Sequence, residues 1–534
     1  MQARTRRLVL GGAVLAVIAI VTAGVVVLLN ESSSGTAQQS ATGPGAGEVA
    51  LDYLDAFAVR DVAAAAALTD DPAAAEAALH EATAQLGVTA VKTRAEPPAA
   101  EDGPDRATRD FTVTWTLGEG RTWTYDNTVT VLRTDAGWRV HWSPALIHPR
   151  LETGQALALR SMDGVPAVVA RDGEPLLRWH TEGIAPAEGA GAPLLLPGMG
   201  RVATEHAGGA WQIVLVDAAG AELATLHGDP AATEPLASTV SVTAQQAAQA
   251  AVDAVSAPAL LVAIEPSSGD LLAVAQNPLA GSAPNALTGL YAPGSTFKIA
   301  TATAALEQGA AEAGTVLPCP GTARIGTRTI PNDGQFDLGS VPLHTAFARS
   351  CNTTFAELAA GLPDDALARS ATELGLNADF TIPGITTEAG SVEAAPDPVQ
   401  RLEDGIGQGR VQASPFGVAL MAATVAHGAP VIPRLWRDLD TTVNTGYDVP
   451  SAPVLGAVRD MMREVVTGGT ATALSGLGDV RGKTGTAELP DGTQAHGWFA
   501  GYRGDVAFAV LVEGAGSSAP AVQATAAFLG GLPG

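Results

Sequence analysis

The sequence predicts a multidomain α+β protein, and three observations lead to this fold class. The chain has 534 residues, enough for roughly three domains of about 100–200 residues each. Its first residues have the length and apolarity of one membrane-spanning helix. Beyond them, helical apolar periods give way to the alternating period of antiparallel strands. We therefore expect an N-terminal transmembrane helix, an α+β domain, a small β-rich connecting domain and a larger C-terminal α/β domain with an antiparallel sheet.

Residues 1–30 are predicted to form the membrane anchor. No charge occurs from Leu8 to Leu29, and these residues cover about 33 Å as a helix, enough to span a bilayer core. Three arginines precede this stretch, which places the N-terminus in the cytoplasm and the folded domains outside the membrane. A cleaved signal peptide is the alternative, although its apolar region is usually only ~7–15 residues long. Residues 31–47 are rich in Ser and Gly and are predicted to be a flexible linker.

Two domains are predicted between the linker and residue 242. In residues 48–149, a helical apolar period begins at Val49, and the Asp70-Asp71-Pro72 segment opens a second helix. From Phe111 the period is two, with breaks at residues 118–120 and 135–137, which predicts an antiparallel sheet. Residues 150–242 alternate short apolar runs with Gly/Pro-rich segments, which indicates a small β-rich connecting domain.

The predicted C-terminal domain covers residues 243–534. Thr243 and Gln246 fit a capping box at the start of a helix. A hairpin around residues 266–269 follows, then a helix ending near Gln308, and finally three strands and a closing helix. We expect the first and last strands to be neighbours in one sheet.

The acidic composition narrows the classes of function. The chain has 30 Lys and Arg against 55 Asp and Glu, a formal charge of −25. Nucleic-acid binding requires a basic surface that neutralises phosphates, so no nucleic-acid partner is expected. The nine histidines form no pair at ligand spacing, so neither a metal nor a cofactor is predicted.

A serine and a lysine three residues apart form a candidate catalytic pair. Ser295 follows a Pro-Gly turn, and Lys298 lies on the same face of the helix expected there. A serine hydroxyl needs a base within hydrogen-bond reach to act as a nucleophile. Lys298 can be that base only if burial or a nearby cation lowers its pKa. Taken alone, the pair is more typical of a capping serine beside a solvated lysine.

Two later motifs favour the catalytic interpretation. Ser350-Cys351-Asn352 lies 55 residues after Ser295, and Lys483-Thr484-Gly485-Thr486 begins 131 residues after Asn352. The order Ser-x-x-Lys, Ser-x-Asn, Lys-Thr-Gly is the set found in serine enzymes that react with penicillin. We therefore predict that the three segments meet in one cleft.

On these motifs the chain resembles the class B penicillin-binding proteins over roughly residues 245–534. The surrounding frame matches as well, in Gly407-Gln-Gly409 and in the segment from His496 to Tyr502. Upstream, residues 138–142 and 148–151 are similar to the end of the NTF2-like domain of the MecA-type branch. Residues 165–173 depart from that branch and keep only its Arg-Asp-Gly end. The resemblance implies an NTF2-like domain followed by a serine β-lactamase/transpeptidase-like domain.

The resemblance also implies a D,D-transpeptidase that cross-links peptidoglycan stem peptides ending in D-Ala-D-Ala and is acylated by β-lactams. Ser295 is expected to attack the carbonyl of the penultimate D-Ala, with Lys298 taking its proton. Ser350 is expected to pass a proton to the leaving amine. Asn352 is expected to hold Lys298 and the substrate amide, and Lys483 to keep the cleft positive.

The last motif is expected to bind the end of the substrate. By resemblance, Thr484 and Thr486 offer hydroxyls to the terminal carboxylate, and Gly485 keeps the strand free of a side chain. The backbone N–H groups of Ser295 and Thr486 are expected to form the oxyanion hole. Partners in a wall-synthesis complex are also implied.

The two cysteines allow two interpretations. Cys319 and Cys351 would close a loop of 32 residues in an exported domain, where a disulfide is stable. Two separate buried thiols are the alternative.

Other functions remain open from the sequence. A D,D-carboxypeptidase or a β-lactamase-like hydrolase would pass the same acyl group to water. A non-catalytic wall-synthesis scaffold or β-lactam sensor belongs to a different class, and it would not need Ser295 or Lys298. Residues 48–240 are too short and too β-rich for a glycosyltransferase domain.

Overall fold

The computed structural model describes residues 44–97, 103–118, 121–180, 183–207, 211–228, 234–489 and 494–533. The predicted anchor at residues 1–30 lies outside these ranges. Within them, no helix combines the length and apolarity needed to cross a bilayer. The chain forms two compact units, the first ending at Thr153 and the second beginning at Gly154. The domain boundaries given above stay predictions.

The first unit packs three helices with a four-stranded antiparallel sheet of strand order β1-β2-β3-β4. The α3 helix begins where the sequence predicted, because Asp71 caps it by accepting a hydrogen bond from the backbone N–H of Ala74 and Pro72 opens its first turn. Phe57 packs edge-on against Trp115 in the core, with ring centroids 5.3 Å apart. The elements are α1 (Ala46–Ala58), α2 (Val62–Ala67), α3 (Pro72–Gln85), β1 (Val88–Ala95), β2 (Arg106–Leu117), β3 (Thr122–Thr134) and β4 (Gly137–Val140).

The second unit starts with two small sheets and one helix. Their strand orders are β10-β9-β5 and β11-β6-β7-β8. Val168 and Trp179 from this part belong to the same hydrophobic core as the sheet that follows it. Arg171, in the segment that departs from the MecA-type pattern, pairs with Glu265 at 3.0 Å and so ties the two parts together. The elements are β5 (Ala156–Ser161), β6 (Pro166–Val169), β7 (Pro175–His180), β8 (Gly183–Pro186), α4 (Leu196–Ala207), β9 (Trp211–Val216), β10 (Glu222–His227) and β11 (Leu236–Ala237).

A five-stranded antiparallel sheet of order β13-β12-β24-β23-β22 forms the centre of the second unit. The pairing of β12 with β24 confirms that the first and last strands are neighbours. Every residue of β12 is buried, so both faces of the sheet are covered. The strands are β12 (Ala259–Ile264), β13 (Leu271–Gln276), β22 (Val480–Glu488), β23 (Ala495–Arg503) and β24 (Val506–Val512).

Helices cover this sheet, and short strands lie between the helices along the chain. The helix Pro415–His427 packs on β12, β23 and β24, whereas the helices Val242–Asp253 and Ala519–Gly530 pack on the sheet as a pair. The helices are α5 (Val242–Asp253), α6 (Asn285–Thr288), α7 (Lys298–Glu307), α8 (Leu343–Ala348), α9 (Asn352–Gly361), α10 (Ala366–Glu373), α11 (Pro398–Asp404), α12 (Pro415–His427), α13 (Ala452–Thr467) and α14 (Ala519–Gly530). The short strands are β14 (Val316–Cys319), β15 (Thr322–Ile325), β16 (Arg328–Pro331), β17 (Gly339–Pro342), β18 (Asp379–Thr381), β19 (Gly390–Ser391), β20 (Gln412–Ala413) and β21 (Thr442–Thr445).

The predicted capping box of α5 is wrong. Ser241 is the N-cap, and its hydroxyl accepts from the backbone N–H of Ala244. Gln245, only 1% exposed, lies beside the edge strand β13. Its amide donates to the carbonyl of Val274 at 3.0 Å and accepts from the N–H of the same residue at 2.9 Å. The side chain therefore replaces a missing neighbouring strand.

We expect Gln245→Ala to destabilise the second unit. The substitution leaves two buried backbone groups of Val274 unpaired, at a cost of about 2–6 kcal/mol, because each such group costs about 1–3 kcal/mol. Thermal unfolding measures the loss. Gln246→Ala is the matched control, since Gln246 is exposed on the same helix. Equal midpoints for the two variants would contradict the assignment.

Candidate active site

The candidate nucleophile lies on a tight turn between the central sheet and a loop. Ser295 belongs to a 3-10 turn, Gly294–Phe297, that runs directly into α7. Gly294 has a φ of +52°, and a Cβ there would lie 2.4 Å from the carbonyl oxygen of Thr486 on β22. On the other side, the N–H of Gly294 donates to the carbonyl of Gly407 at 2.9 Å. The turn is thus held between two backbones that only glycine allows to approach this closely.

Lys298 is fully buried beside the serine. Its Nζ lies 3.1 Å from Oγ of Ser295, 2.9 Å from the carbonyl oxygen of Ser350 and 2.6 Å from Oδ1 of Asn352. The last two atoms can only accept hydrogen bonds. A neutral amine has two N–H groups for them and one lone pair left over. That lone pair is then available to the hydroxyl proton of Ser295.

Ser350 and Asn352 follow the end of α8. Ser350 has a φ of +62°, a left-handed conformation that ends α8 where glycine is more usual. Non-glycine residues in such conformations cluster at functional sites. The amide nitrogen of Asn352 donates to the carbonyl of Pro331 at 3.0 Å, which directs the amide oxygen towards Lys298. Ser350 thus combines this strained backbone with a hydroxyl that lies within hydrogen-bond distance of both Lys298 and Lys483.

Lys483 lies across the cleft on β22, the edge strand of the central sheet. It too is fully buried. Its Nζ donates to Oγ of Ser350 and to the carbonyl of Thr484, both at 2.9 Å, and its distance to Oγ1 of Thr484 is 3.5 Å. Three acceptors match the three N–H groups of a charged ammonium.

Burial and proximity shift the pKa values of the two lysines. Desolvation lowers the pKa of Lys298 well below 10.5, and the nearby charge of Lys483 lowers it further. Desolvation lowers the pKa of Lys483 to about 7. Both burial and a nearby cation thus lower the pKa of the amine next to Ser295, which is the condition stated above for Lys298 to act as a base.

The remaining residues of the last motif line the same strand. Thr484 is 3% exposed, whereas Thr486 is half-buried. A Cβ on Gly485 would lie 2.9 Å from the carbonyl of Pro293, so a side chain there would push the serine turn away from the strand. Thr470, which no motif marked, has its hydroxyl 2.6 Å from that of Thr484.

Cys319 and Cys351 form a disulfide, with their Cα atoms 6.2 Å apart. Cys351 lies between Ser350 and Asn352, so the bond fixes the backbone that carries both side chains. Among the described residues, no group of three or more His, Cys, Asp and Glu is placed to hold a metal ion. The side chains of Ser295, Lys298, Asn352 and Lys483 that meet in the cleft carry hydroxyl, amine and amide groups.

The Ser-Lys, Ser-Asn and Lys-Thr-Gly groups therefore meet in one cleft at the edge of the antiparallel sheet. Residues 259–529 match the family model for the penicillin binding protein transpeptidase domain, and residues 45–155 match the NTF2-like N-terminal transpeptidase domain. Because the first match covers about half of the chain, the chain belongs to the penicillin-binding protein transpeptidase family. Both parts of the predicted resemblance are confirmed.

Two curated relatives are peptidoglycan D,D-transpeptidases. The chain is 31% identical to PbpA of Mycobacterium tuberculosis over 306 residues, which are 47% of this chain and 61% of the relative. It is 32% identical to PbpA of Mycolicibacterium smegmatis over 307 residues, 48% of this chain and 62% of the relative. The chain thus matches about three-fifths of the length of these relatives.

Solved structures show the same fold. Penicillin-binding protein A from M. tuberculosis, as an imipenem acyl-enzyme complex, has a TM-score of 0.50 and 27% identity, covering 56% of this chain and 79% of that chain. The D,D-transpeptidase domain of a peptidoglycan glycosyltransferase from Eggerthella lenta has a TM-score of 0.55 over 70% of this chain and 98% of that chain. Its identity is 23%, so it supports the fold alone.

We expect replacement of both cysteines by alanine to lower the stability of the second unit by about 3–4 kcal/mol, because the disulfide closes a loop with a sequence separation of 32 residues. Denaturant unfolding measures the loss. As a control, a thiol reductant is expected to destabilise the original chain and leave the variant unchanged. Equal stability of the oxidised chain and the variant would refute this prediction.

Proposed function

We propose that this chain is a D,D-transpeptidase that joins peptidoglycan stem peptides through an acyl-Ser295 intermediate, and that β-lactams acylate the same serine. The observation that carries the proposal is the contact between Ser295 and a buried Lys298 whose pKa is lowered by burial and by the nearby Lys483. The names of the relatives and the imipenem complex of a similar protein support it.

Acylation follows from the positions of three groups. The hydroxyl of Ser295 passes its proton to Nζ of Lys298 while Oγ bonds to the carbonyl carbon of the penultimate D-Ala. We propose that the backbone N–H groups of Ser295 and Thr486 donate to the developing oxyanion, where such donors stabilise the transition state by several kcal/mol. The proton then moves through Oγ of Ser350, 3.3 Å from Lys298, to the amine of the departing D-Ala.

The second half of the reaction reverses these proton transfers. An acceptor amine enters where D-Ala left, Lys298 accepts its proton through Ser350, and the amine nitrogen bonds to the acyl carbon. Oγ of Ser295 leaves and takes back a proton. Lys483 donates to the hydroxyl of Ser350 and holds it in place.

The proposal includes the location of the protein. We infer a cell-membrane protein with a cytoplasmic N-terminus, one transmembrane helix at residues 1–30 and the catalytic domain outside the membrane. The uncharged residues from Leu8 to Leu29 and the arginines before them support this. In this proposal the β-rich part from residue 150 to 242 serves as a pedestal for the catalytic domain. Recruitment by wall-synthesis partners is a further part of the same proposal.

Labelling tests the acyl-serine chemistry. The purified full-length protein is expected to bind fluorescent penicillin covalently, and Ser295→Ala to abolish the label without changing thermal unfolding. Lys298→Met should reduce labelling by orders of magnitude. An unlabelled native protein would favour a non-catalytic scaffold.

The fate of the acyl group distinguishes the hydrolases. With D-Ala-D-Ala stem peptides and an amine acceptor, a transpeptidase releases free D-Ala together with cross-linked product. Release of D-Ala without cross-links would identify a carboxypeptidase, and fast turnover of penicillin would identify a β-lactamase. Mass spectrometry of the products separates the three.

We expect acylation by benzylpenicillin to have a bell-shaped pH profile. The rate falls at low pH because Lys298 becomes protonated and can no longer accept the proton of Ser295. The rate also falls as pH rises through about 7, because Lys483 loses the charge that attracts the carboxylate. Lys483→Arg keeps the charge and should flatten the alkaline limb. An alkaline limb unchanged in this variant would exclude Lys483 as its source.

A further inference from the structure

The serine of the second motif depends on a very short helix. Ser350 follows α8, which has only 6 residues, and its φ of +62° is a left-handed conformation. Residues other than glycine keep such a conformation only where the surrounding structure holds them in it. The position of the Ser350 hydroxyl therefore depends on what fixes the two ends of α8.

The C-terminal end of α8 is held by the chain that follows α13. The backbone N–H of Thr470 donates to the carbonyl of Ala348 at 3.2 Å. A Cβ on Gly469 would lie 2.3 Å from the same carbonyl oxygen, so this chain lies directly against the end of α8. Ala348 is two residues before Ser350. A shift of α8 relative to α13 would therefore move Ser350 as well.

The N-terminal end of α8 is held by a carboxylate of α13 itself. The N-cap residue, Pro342, has no polar side chain that could cap the helix. Oε2 of Glu464 lies 2.5 Å from Nδ1 of His344, and Oε1 of Glu464 accepts a hydrogen bond from the hydroxyl of Thr345 at 3.0 Å. A carboxylate only accepts hydrogen bonds, so Nδ1 of His344 is the donor in this contact. Glu464 thus joins the first turn of α8 to α13 with both of its oxygens.

This contact matters more for position than for stability. The side chains of His344 and Glu464 are 40% and 31% exposed, so solvent screens their attraction and the pair adds little to the stability of the unit. Two hydrogen bonds from one carboxylate nevertheless fix where α8 lies along α13, on which it packs. Precise placement is important here, because a displacement of about 1 Å in a catalytic group can slow a reaction about 100-fold.

We propose that Glu464 is a positioning residue for acylation: through His344 and Thr345 it fixes α8, and it thereby places the hydroxyl of Ser350 between Lys298 and Lys483. This inference rests on the proposed function. It assigns a role in the reaction to α13, a helix that contains none of the three motifs. No contact between Glu464 and a ligand is part of the proposal.

Acylation of the full-length protein by benzylpenicillin tests the inference. Glu464→Ala is expected to lower the second-order acylation rate about tenfold, because Ser350 then leaves the position from which it passes a proton. Glu464→Gln should restore most of the rate, since its amide can accept from Thr345 and donate to the other tautomer of His344. Intact-protein mass spectrometry measures the rates.

Asp460→Ala is the matched control. It removes a carboxylate one turn earlier on α13, where Asp460 is 85% exposed and its contact with Arg481 is 3.4 Å long. The acylation rate of this variant should equal that of the original chain. A loss as large as that of Glu464→Ala would show that any charge removed from α13 slows acylation, and it would overturn the inference.

A second background separates positioning from a general loss of structure. Ser350→Ala removes the group that Glu464 is proposed to position, so adding Glu464→Ala to it should cause no further loss, whereas independent effects would multiply. The same loss in both backgrounds would mean a merely structural role, and an unchanged rate in Glu464→Ala alone would mean that α8 keeps its position without Glu464. Either result overturns the inference. Should Glu464→Ala fail to fold, Thr345→Val removes one of the two contacts and is expected to slow acylation about threefold.

The same measurements distinguish failure of the inference from failure of the proposed function. If benzylpenicillin acylates the original chain and Glu464→Ala equally fast, only the inference fails. If it acylates neither, the proposed function fails and the inference falls with it.

Discussion

The site depends on two fully buried lysines that share one serine hydroxyl. Nζ of Lys483 lies 2.9 Å and Nζ of Lys298 3.3 Å from Oγ of Ser350. Two ammonium groups at this separation, without a carboxylate among the hydrogen-bond partners described for them, repel each other and both lose hydration. The favoured state keeps one amine neutral. Because the acceptors around Lys298 suit an amine with two N–H groups, the neutral position falls next to Ser295.

The rest of the fold holds three chain segments around that pair. The serine turn is pressed against β22, the disulfide anchors the segment of Ser350, and β22 is paired with β23 along its length. Aromatic rings close the cavity, with Lys298 5.6 Å from the ring centroid of Phe355 and Lys483 5.7 Å from that of Phe347. These rings offer no strong hydrogen-bond acceptor to either lysine. They keep the local dielectric constant low and do not compensate for the hydration that both lysines lose on burial.

Local patterns made much of this predictable. The Ser295–Lys298 spacing, the hairpin before it and the three final strands follow from short-range periods and turn residues, and all lie where the sequence indicated. The contact between the hydroxyls of Thr470 and Thr484 joins a loop to a strand through tertiary packing, and no spacing rule in the sequence predicts it. Gln245 illustrates the same limit, because the sequence does not show which of the adjacent residues Gln245 and Gln246 faces β13. A buried strand edge needs a partner, and only the three-dimensional register tells which amide supplies it.

The role proposed for Lys298 as a base also concerns the fate of the acyl group. The groups bonded to Lys298 and Lys483 in the described part of the chain are hydroxyls, carbonyls and an amide. No carboxylate among them is placed to activate a water independently of Lys298. The group that accepts the proton of Ser295 must then also accept the proton of the second nucleophile. In the proposed reaction, water and an acceptor amine therefore compete for activation by the same group, Lys298.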